Sequence, residues 1–221
     1  MKRKTVGVLL SGCGVQDGSE IHEATLTLYF LDKMGADILC MAPGKNQMDV
    51  VNHVTGSPVE ETRNCLTEAA RIARGEIRDV KTVMTDAIDA LIIPGGFGAA
   101  KNLSTFAVDG AHSIVDGDVA ALLRELVRAG KPIGALCIAP AILAALFGRE
   151  FAPTLTIGMD EATAGVLEEM GARHRKAQAT DIVVDEKLRI VTTPCYMMAQ
   201  GIAEVGVGVE KLVARILDMI A

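Results

Sequence analysis

Tryptophan is absent from this chain, and aromatic residues make up only 3% of it. Proteins that grip single-stranded nucleic acid stack bases on aromatic platforms, and two tyrosines with five phenylalanines cannot build one. A basic excess is missing too. Lys and Arg number 22 against 28 Asp and Glu, a formal net charge of −6, so no positive field awaits a phosphate backbone. Long apolar runs are lacking as well. The uncharged stretch 133–148 falls short of the roughly 17–20 residues a membrane span requires, and Pro140 interrupts it. Neither a nucleic-acid nor a membrane partner is expected. No Cys or His pair has zinc spacing, so no metal is expected. The five cysteines (Cys13, Cys40, Cys65, Cys137, Cys195) are odd in number and scattered. That argues against a disulfide framework and for reduced thiols, hence a cytoplasmic location.

The N-terminus imitates an export signal. Met1-Lys2-Arg3-Lys4 is basic, an apolar run follows, and Leu10-Ser11-Gly12-Cys13 resembles a lipoprotein cleavage box. A signal h-region needs about 7–15 apolar residues, and this run is shorter and contains Gly7. It reads as a buried first strand.

What is present is a β/α alternation. Continuous apolar runs at 5–10, 36–42, 89–93 and 132–136 read as strands covered on both faces. A short strand is expected at 154–157 and a hairpin at 182–185 and 189–192. Helical periods occupy 19–34, 60–75, 116–129, 160–170 and 198–219, with another helix starting at Ile138. The 46–80 stretch reads as an excursion between strands. These elements predict a single domain, 1–221. Its expected fold is a three-layer α/β sandwich with a mainly parallel central sheet, flavodoxin-like or amidotransferase-like. Ligands in such sheets sit beyond the carboxyl ends of the strands, which points to the loops 12–19 and 94–100 and the turn at Cys137.

Gly134-Ala135-Leu136-Cys137-Ile138-Ala139 puts a thiol where a strand turns sharply into a helix, with small residues flanking it as in a nucleophile elbow. A helix N-terminus favours thiolate and lowers the thiol pKa, and the N–H of Ile138 is placed to stabilise an oxyanion. The competing reading is a small buried hydrophobe, the role assigned to Cys40 and Cys65. Cys13 lies in a loop near the site, and Cys195 stays undecided. Pro94-Gly95-Gly96-Phe97-Gly98 is a second oxyanion donor, a phosphate cradle or a plain tight turn, without the Walker spacing. Lys101 and Asn102 follow as polar lining. Gly12-Cys13-Gly14 lacks the third glycine of a dinucleotide loop, and the second strand ends without an acidic residue. Asp17-Gly18-Ser19-Glu20 has the form of a capping box, with Asp17 as cap and Glu20 returning to the backbone. Glu23 lies one turn on, beside apolar neighbours. It is either a proton shuttle with a raised pKa or a helix-start carboxylate facing water. No histidine has a strong claim: His53 and His112 lie in polar loops, His174 on a solvated basic face, and His22 points elsewhere on its helix.

Together these three sites resemble the ThiJ/PfpI superfamily of amidotransferase-like proteins. Within it the chain is similar to the ElbB type, known as isoprenoid-biosynthesis glyoxalases. The resemblance is carried by Leu10-Ser11-Gly12-Cys13-Gly14, Asp17-Gly18-Ser19-Glu20-Ile21-His22-Glu23-Ala24, Glu61-Thr62-Arg63-Asn64, Glu68-Ala69-Ala70-Arg71-Ile72, residues 94–103, Cys137-Ile138-Ala139-Pro140 and Ile190-Val191-Thr192-Thr193-Pro194. It runs nearly end to end. It implies a cofactor-independent, glutathione-independent glyoxalase of the hydro-lyase type, acting on a small aldehyde, and a homodimer. Cys137 matches the nucleophile and Glu23 the protonated glutamate. Gly95, Gly96 and Ile138 match the oxyanion region, with Gly12 and Asn102 as further binding residues. Superfamily glyoxalases often carry another His past the elbow, and residues 154–159 have none. Two other readings remain: a redox-responsive thiol protein, for which Cys137 must be accessible and of low pKa, and an amidotransferase subunit, which requires a late His missing from Thr193-Pro194-Cys195.

Overall fold

The computed structural model describes residues 3–220. The basic start at Met1 and Lys2 lies outside them. The first half runs β1 (Thr5–Leu9), α1 (Ile21–Lys33), β2 (Asp37–Ala42), β3 (Val51–Asn52), β4 (Ser57–Pro58), α2 (Cys65–Ile72), β5 (Ile77–Asp79), β6 (Ala90–Ile93), α3 (Phe97–Lys101) and α4 (Phe106–Asp109). The second half runs α5 (Gly117–Arg128), β7 (Ile133–Leu136), α6 (Pro140–Phe151), β8 (Thr154–Leu155), α7 (Glu161–Glu169), β9 (Arg173–His174), β10 (Val183–Asp185), β11 (Ile190–Thr193) and α8 (Ile202–Met219).

Seven strands form the central sheet in the order β10-β11-β7-β6-β1-β2-β5, parallel except for the β10–β11 hairpin. β6 and β7 are buried along their whole length, which is why they read as uninterrupted apolar runs. α1 and α8 pack together on one face, over Val6, Val8 and Val191. The other face is covered from α5, α6 and α7 by residues such as Leu123, Phe147 and Leu167. This is the expected three-layer α/β sandwich in one domain, with a mainly parallel sheet. Strand order reverses between β1 and β6, so the crevice for a ligand opens where the loops after those two strands diverge.

Sequence and structure part in the 46–80 excursion. It ends in an edge strand, β5, paired to β2, and it contains the β3–β4 ribbon. Neither shows periodicity, because each is two or three residues long. α2 also starts five residues later than expected, where the Asn64 side chain accepts from the Thr67 N–H. Among the described residues, no helix is long and apolar enough to cross a membrane.

Candidate active site

Three chain segments meet at the switch point. The turn after β7 carries Cys137, whose φ of +57° places it in the left-handed region, the strained geometry of an elbow. The loop after β6 brings Gly95 and Gly96 against it. A Cβ on Gly95 would overlap that of Cys137 and come within 2.7 Å of Glu23 Oε2, so only glycine allows this approach. Helix α1 supplies Glu23, which has no exposed surface. The Gly95 carbonyl accepts from the Glu20 N–H at 2.9 Å and ties the glycine loop to the start of that helix.

The capping box is built differently from the expectation. Glu20 itself caps α1, its Oε2 accepting from the Glu23 N–H at 2.7 Å. Asp17 is drawn away by a tertiary partner, the Val51 N–H at 2.7 Å. With its cap so close, Glu23 is enclosed and has a like charge beside it. Burial first, then the Glu20 carboxylate, raise its pKa to about 8, so it is protonated at neutral pH. Its Oε2 accepts from the Gly95 N–H at 2.9 Å and its Oε1 from the Tyr196 N–H at 3.2 Å. Each oxygen thus holds one backbone donor, and the carboxyl group also hydrogen-bonds the Cys137 thiol.

The expected lowering of the Cys137 pKa is overturned. Burial and the adjoining Glu23 push the thiol well above its ordinary range, outweighing the Gly96 and Ile138 N–H groups that donate to the sulfur. A low-pKa, accessible redox thiol is therefore not what this turn presents. Those two N–H groups act on Sγ in the sense that favours negative charge, which is the electrostatic role of oxyanion donors. Gly95, expected among the oxyanion and substrate-binding residues, offers no free donor, because its N–H is spent on Glu23.

Two further binding candidates fall outside the site. Asn102 is buried as a clamp: Nδ2 donates to the carbonyls of Ser11 and Asp17, both at 2.8 Å, and Oδ1 accepts from the Met48 N–H at 2.9 Å. Its polar atoms are all spent on backbone, and none remains for a substrate. Asn102→Ala is expected to lower stability by about 2–4 kcal/mol through the stranded backbone groups, read from denaturant midpoints. Gly12, at φ +112°, packs against Gln47 and Gly18 and does not line the cavity at Cys137. Lys101 is likewise tied to Asp49 Oδ2 at 2.8 Å and to the Gln16 carbonyl at 2.9 Å.

Sequence reasoning missed the segment after β11. Cys195, at φ +45°, is fully buried close to Glu23 and Cys137, and the Tyr196 N–H orients the glutamate. The Tyr196 hydroxyl meets His22 Nδ1 at 2.7 Å, a partner not expected of His22. The signal was available: β11 is parallel to β7, so its carboxyl end must reach the same edge of the sheet. His174 is half-buried in β9, its Nε2 accepting from the Ile157 N–H, and not on a solvated face. None of the four histidines lines the cavity. All five cysteines are free, with Cys40 and Cys65 in the core. Among the described residues, no group of three or more His, Cys, Asp or Glu is arranged to hold a metal ion.

A human protein, "Glutamine amidotransferase-like class 1 domain-containing protein 3, mitochondrial", is 43% identical over 97% of this chain and 82% of its own length. The chain belongs to this amidotransferase-like family. No family model matches it. The zebrafish "ES1 protein, mitochondrial" is 35% identical over 87% of the chain and 76% of its own length. The crystal structure of an isoprenoid biosynthesis protein with an amidotransferase-like domain from Ehrlichia chaffeensis superposes with TM-score 0.90 at 36% identity, covering 97% of this chain and 99% of that one. Drosophila melanogaster DJ-1beta shares the fold at TM-score 0.59 and 17% identity, over 99% and 96% of the two chains. The expected cytoplasmic location is overturned, since the curated relatives are named as mitochondrial proteins. Scattered cysteines argue against a disulfide framework and do not name a compartment.

Proposed function

We propose that this chain is a glutathione-independent glyoxalase-type enzyme that converts a small dicarbonyl aldehyde to the hydroxy acid. The observation that supports this most is the environment of Cys137: a protonated carboxyl beside it, the Gly96 and Ile138 N–H groups acting on its sulfur, and a cavity that it lines. A proton-holding carboxyl beside a nucleophilic sulfur is what an internal redox reaction of a dicarbonyl needs.

In this reading the Cys137 sulfur adds to one aldehyde carbon of glyoxal, Glu23 gives its proton to the carbonyl oxygen and the thiol proton leaves to water, so a hemithioacetal and a Glu23 carboxylate result. That carboxylate then takes the proton from the same carbon and returns one to the neighbouring carbon through an enediol, ending protonated again. The first carbon is oxidised to a thioester and the second reduced to an alcohol. Water cleaves the thioester to glycolate and restores the thiol, so the net change is glyoxal plus water to glycolate and a proton. The N–H groups of Gly96 and Ile138 stabilise the oxygen charge at each addition.

The test is incubation of the purified protein with carbon-13 glyoxal, without glutathione, followed by NMR. Labelled glycolate forming in proportion to enzyme is the expected result. Its absence, with glyoxal unchanged, sinks the reading.

A further inference from the structure

The cavity in front of Cys137 is too large and too apolar for glyoxal. Its volume is about 270 Å³, and Val15, Phe97, Phe106, Ile138 and Met197 form its walls. A water molecule takes roughly 30 Å³ of liquid, so a four-heavy-atom aldehyde leaves most of the space unfilled. The walls carry no charged side chain. The one hydroxyl is that of Thr163, whose backbone N–H donates to Asp160 Oδ1 at 2.7 Å. The ammonium nearest Phe97, that of Lys101, is held by Asp49 and a backbone carbonyl. A phosphate or carboxylate tail would therefore find no charged partner here. In a chain with five phenylalanines, two stand at this opening, and Phe97 is 54% exposed. An exposed ring at the mouth of a nucleophile's cavity is a surface for apolar contact.

We propose that the substrate of this site is an α-oxoaldehyde whose apolar substituent is larger than methyl, an alkyl chain or an aryl ring, which this cavity takes up beside Cys137. The proposal rests on the glyoxalase reading. The reaction is the same, R–CO–CHO plus water giving R–CHOH–COO⁻ and a proton. The aldehyde carbon is oxidised and the ketone carbon reduced, with no outside oxidant.

Two measurements separate the proposal from the reading beneath it. The first is kcat/KM for glyoxal, methylglyoxal, hexylglyoxal and phenylglyoxal. The second is the rate at which methyl- to hexyl-methanethiosulfonates label Cys137, located by mass spectrometry and normalised to free glutathione. Both are expected to rise, by about fourfold for each methylene the cavity takes up. Ala107→Leu, which narrows the opening at an exposed wall position, is expected to flatten both rises. If glyoxal is turned over but neither series rises with chain length, the proposal is overturned while the reading stands. If no aldehyde is turned over yet labelling rises, the reading fails and the cavity remains a site for apolar ligands. If neither turnover nor a rise in labelling is seen, both fail.

Discussion

Replacing Cys137 by serine is expected to reduce aldehyde turnover by about 10⁴-fold or more, the scale seen when a covalent nucleophile is removed. Sγ is the one thiol among the residues lining the cavity, and serine fits the same left-handed turn with an oxygen far less able to attack at neutral pH. Glu23→Gln is expected to cost about 10²–10⁴-fold, the usual contribution of a positioned proton carrier. The two losses are expected not to multiply in the double variant, because the carboxyl and the sulfur act as a unit. The pH profile adds a second check. With the Glu23 carboxyl at about 8, kcat/KM for the free enzyme should fall as pH rises through that value and the proton is lost. Full activity in Cys137→Ser, or a profile flat through pH 8, contradicts the assignment of roles. Cys195→Ala serves as a control. Cys195 is fully buried behind the site, and its removal is expected to lower stability more than turnover.

A second large effect concerns stability against pH. In the folded protein Glu23 keeps its proton up to about 8, against an ordinary value of 4.5. Between those values the folded state holds a proton that the unfolded chain has released, so stability falls as pH rises. The contribution is fully present below about pH 4.5 and lost by about pH 8, a change on the order of 5 kcal/mol. Above that window the buried thiols continue the trend. Burial pushes Cys40 up to about 11 and Cys65 to about 12, so unfolded thiols ionise first. The measurement is the slope of the denaturant midpoint against pH in the wild type and in Glu23→Gln. The variant starts lower, because a glutamine amide cannot accept from both the Gly95 and Tyr196 N–H groups. Its slope between pH 5 and 8 is expected to be clearly flatter than that of the wild type. Parallel slopes would mean that Glu23 ionises normally in the folded protein.

Much of this site can be read along the chain, and the portions that cannot have identifiable causes. The elbow at Cys137 and the glycine pair are local features: small residues and paired glycines at strand ends have few other uses. Helix α3 was hidden because five residues beginning Phe97-Gly98 look like the rest of a glycine loop. They become helical only when the N–H groups of Phe97 and Gly98 find the carbonyls of Val15 and Gly18 across the site. Asn102 looked like lining because a polar residue beside a glycine loop is ambiguous until its partners are seen. Glu20 and Asp17 exchanged roles for a similar reason. Either can cap α1, and the choice was made by Val51, 34 residues beyond Asp17.

By itself, then, the sequence determined the alternation of strands and helices, the parallel sheet and the identity of Cys137 and Glu23 as the groups to examine. Covered strands must be apolar throughout, and a sharp elbow must be small. Only the tertiary structure decided the charges those two groups carry. A helix start favours a thiolate, yet burial from all sides and a carboxyl brought in from another element reverse that preference. Desolvation and pairing depend on what surrounds an atom in space, and the order of residues does not state it. The sequence showed few aromatic rings, and the fold set two of them at the mouth of the nucleophile's cavity.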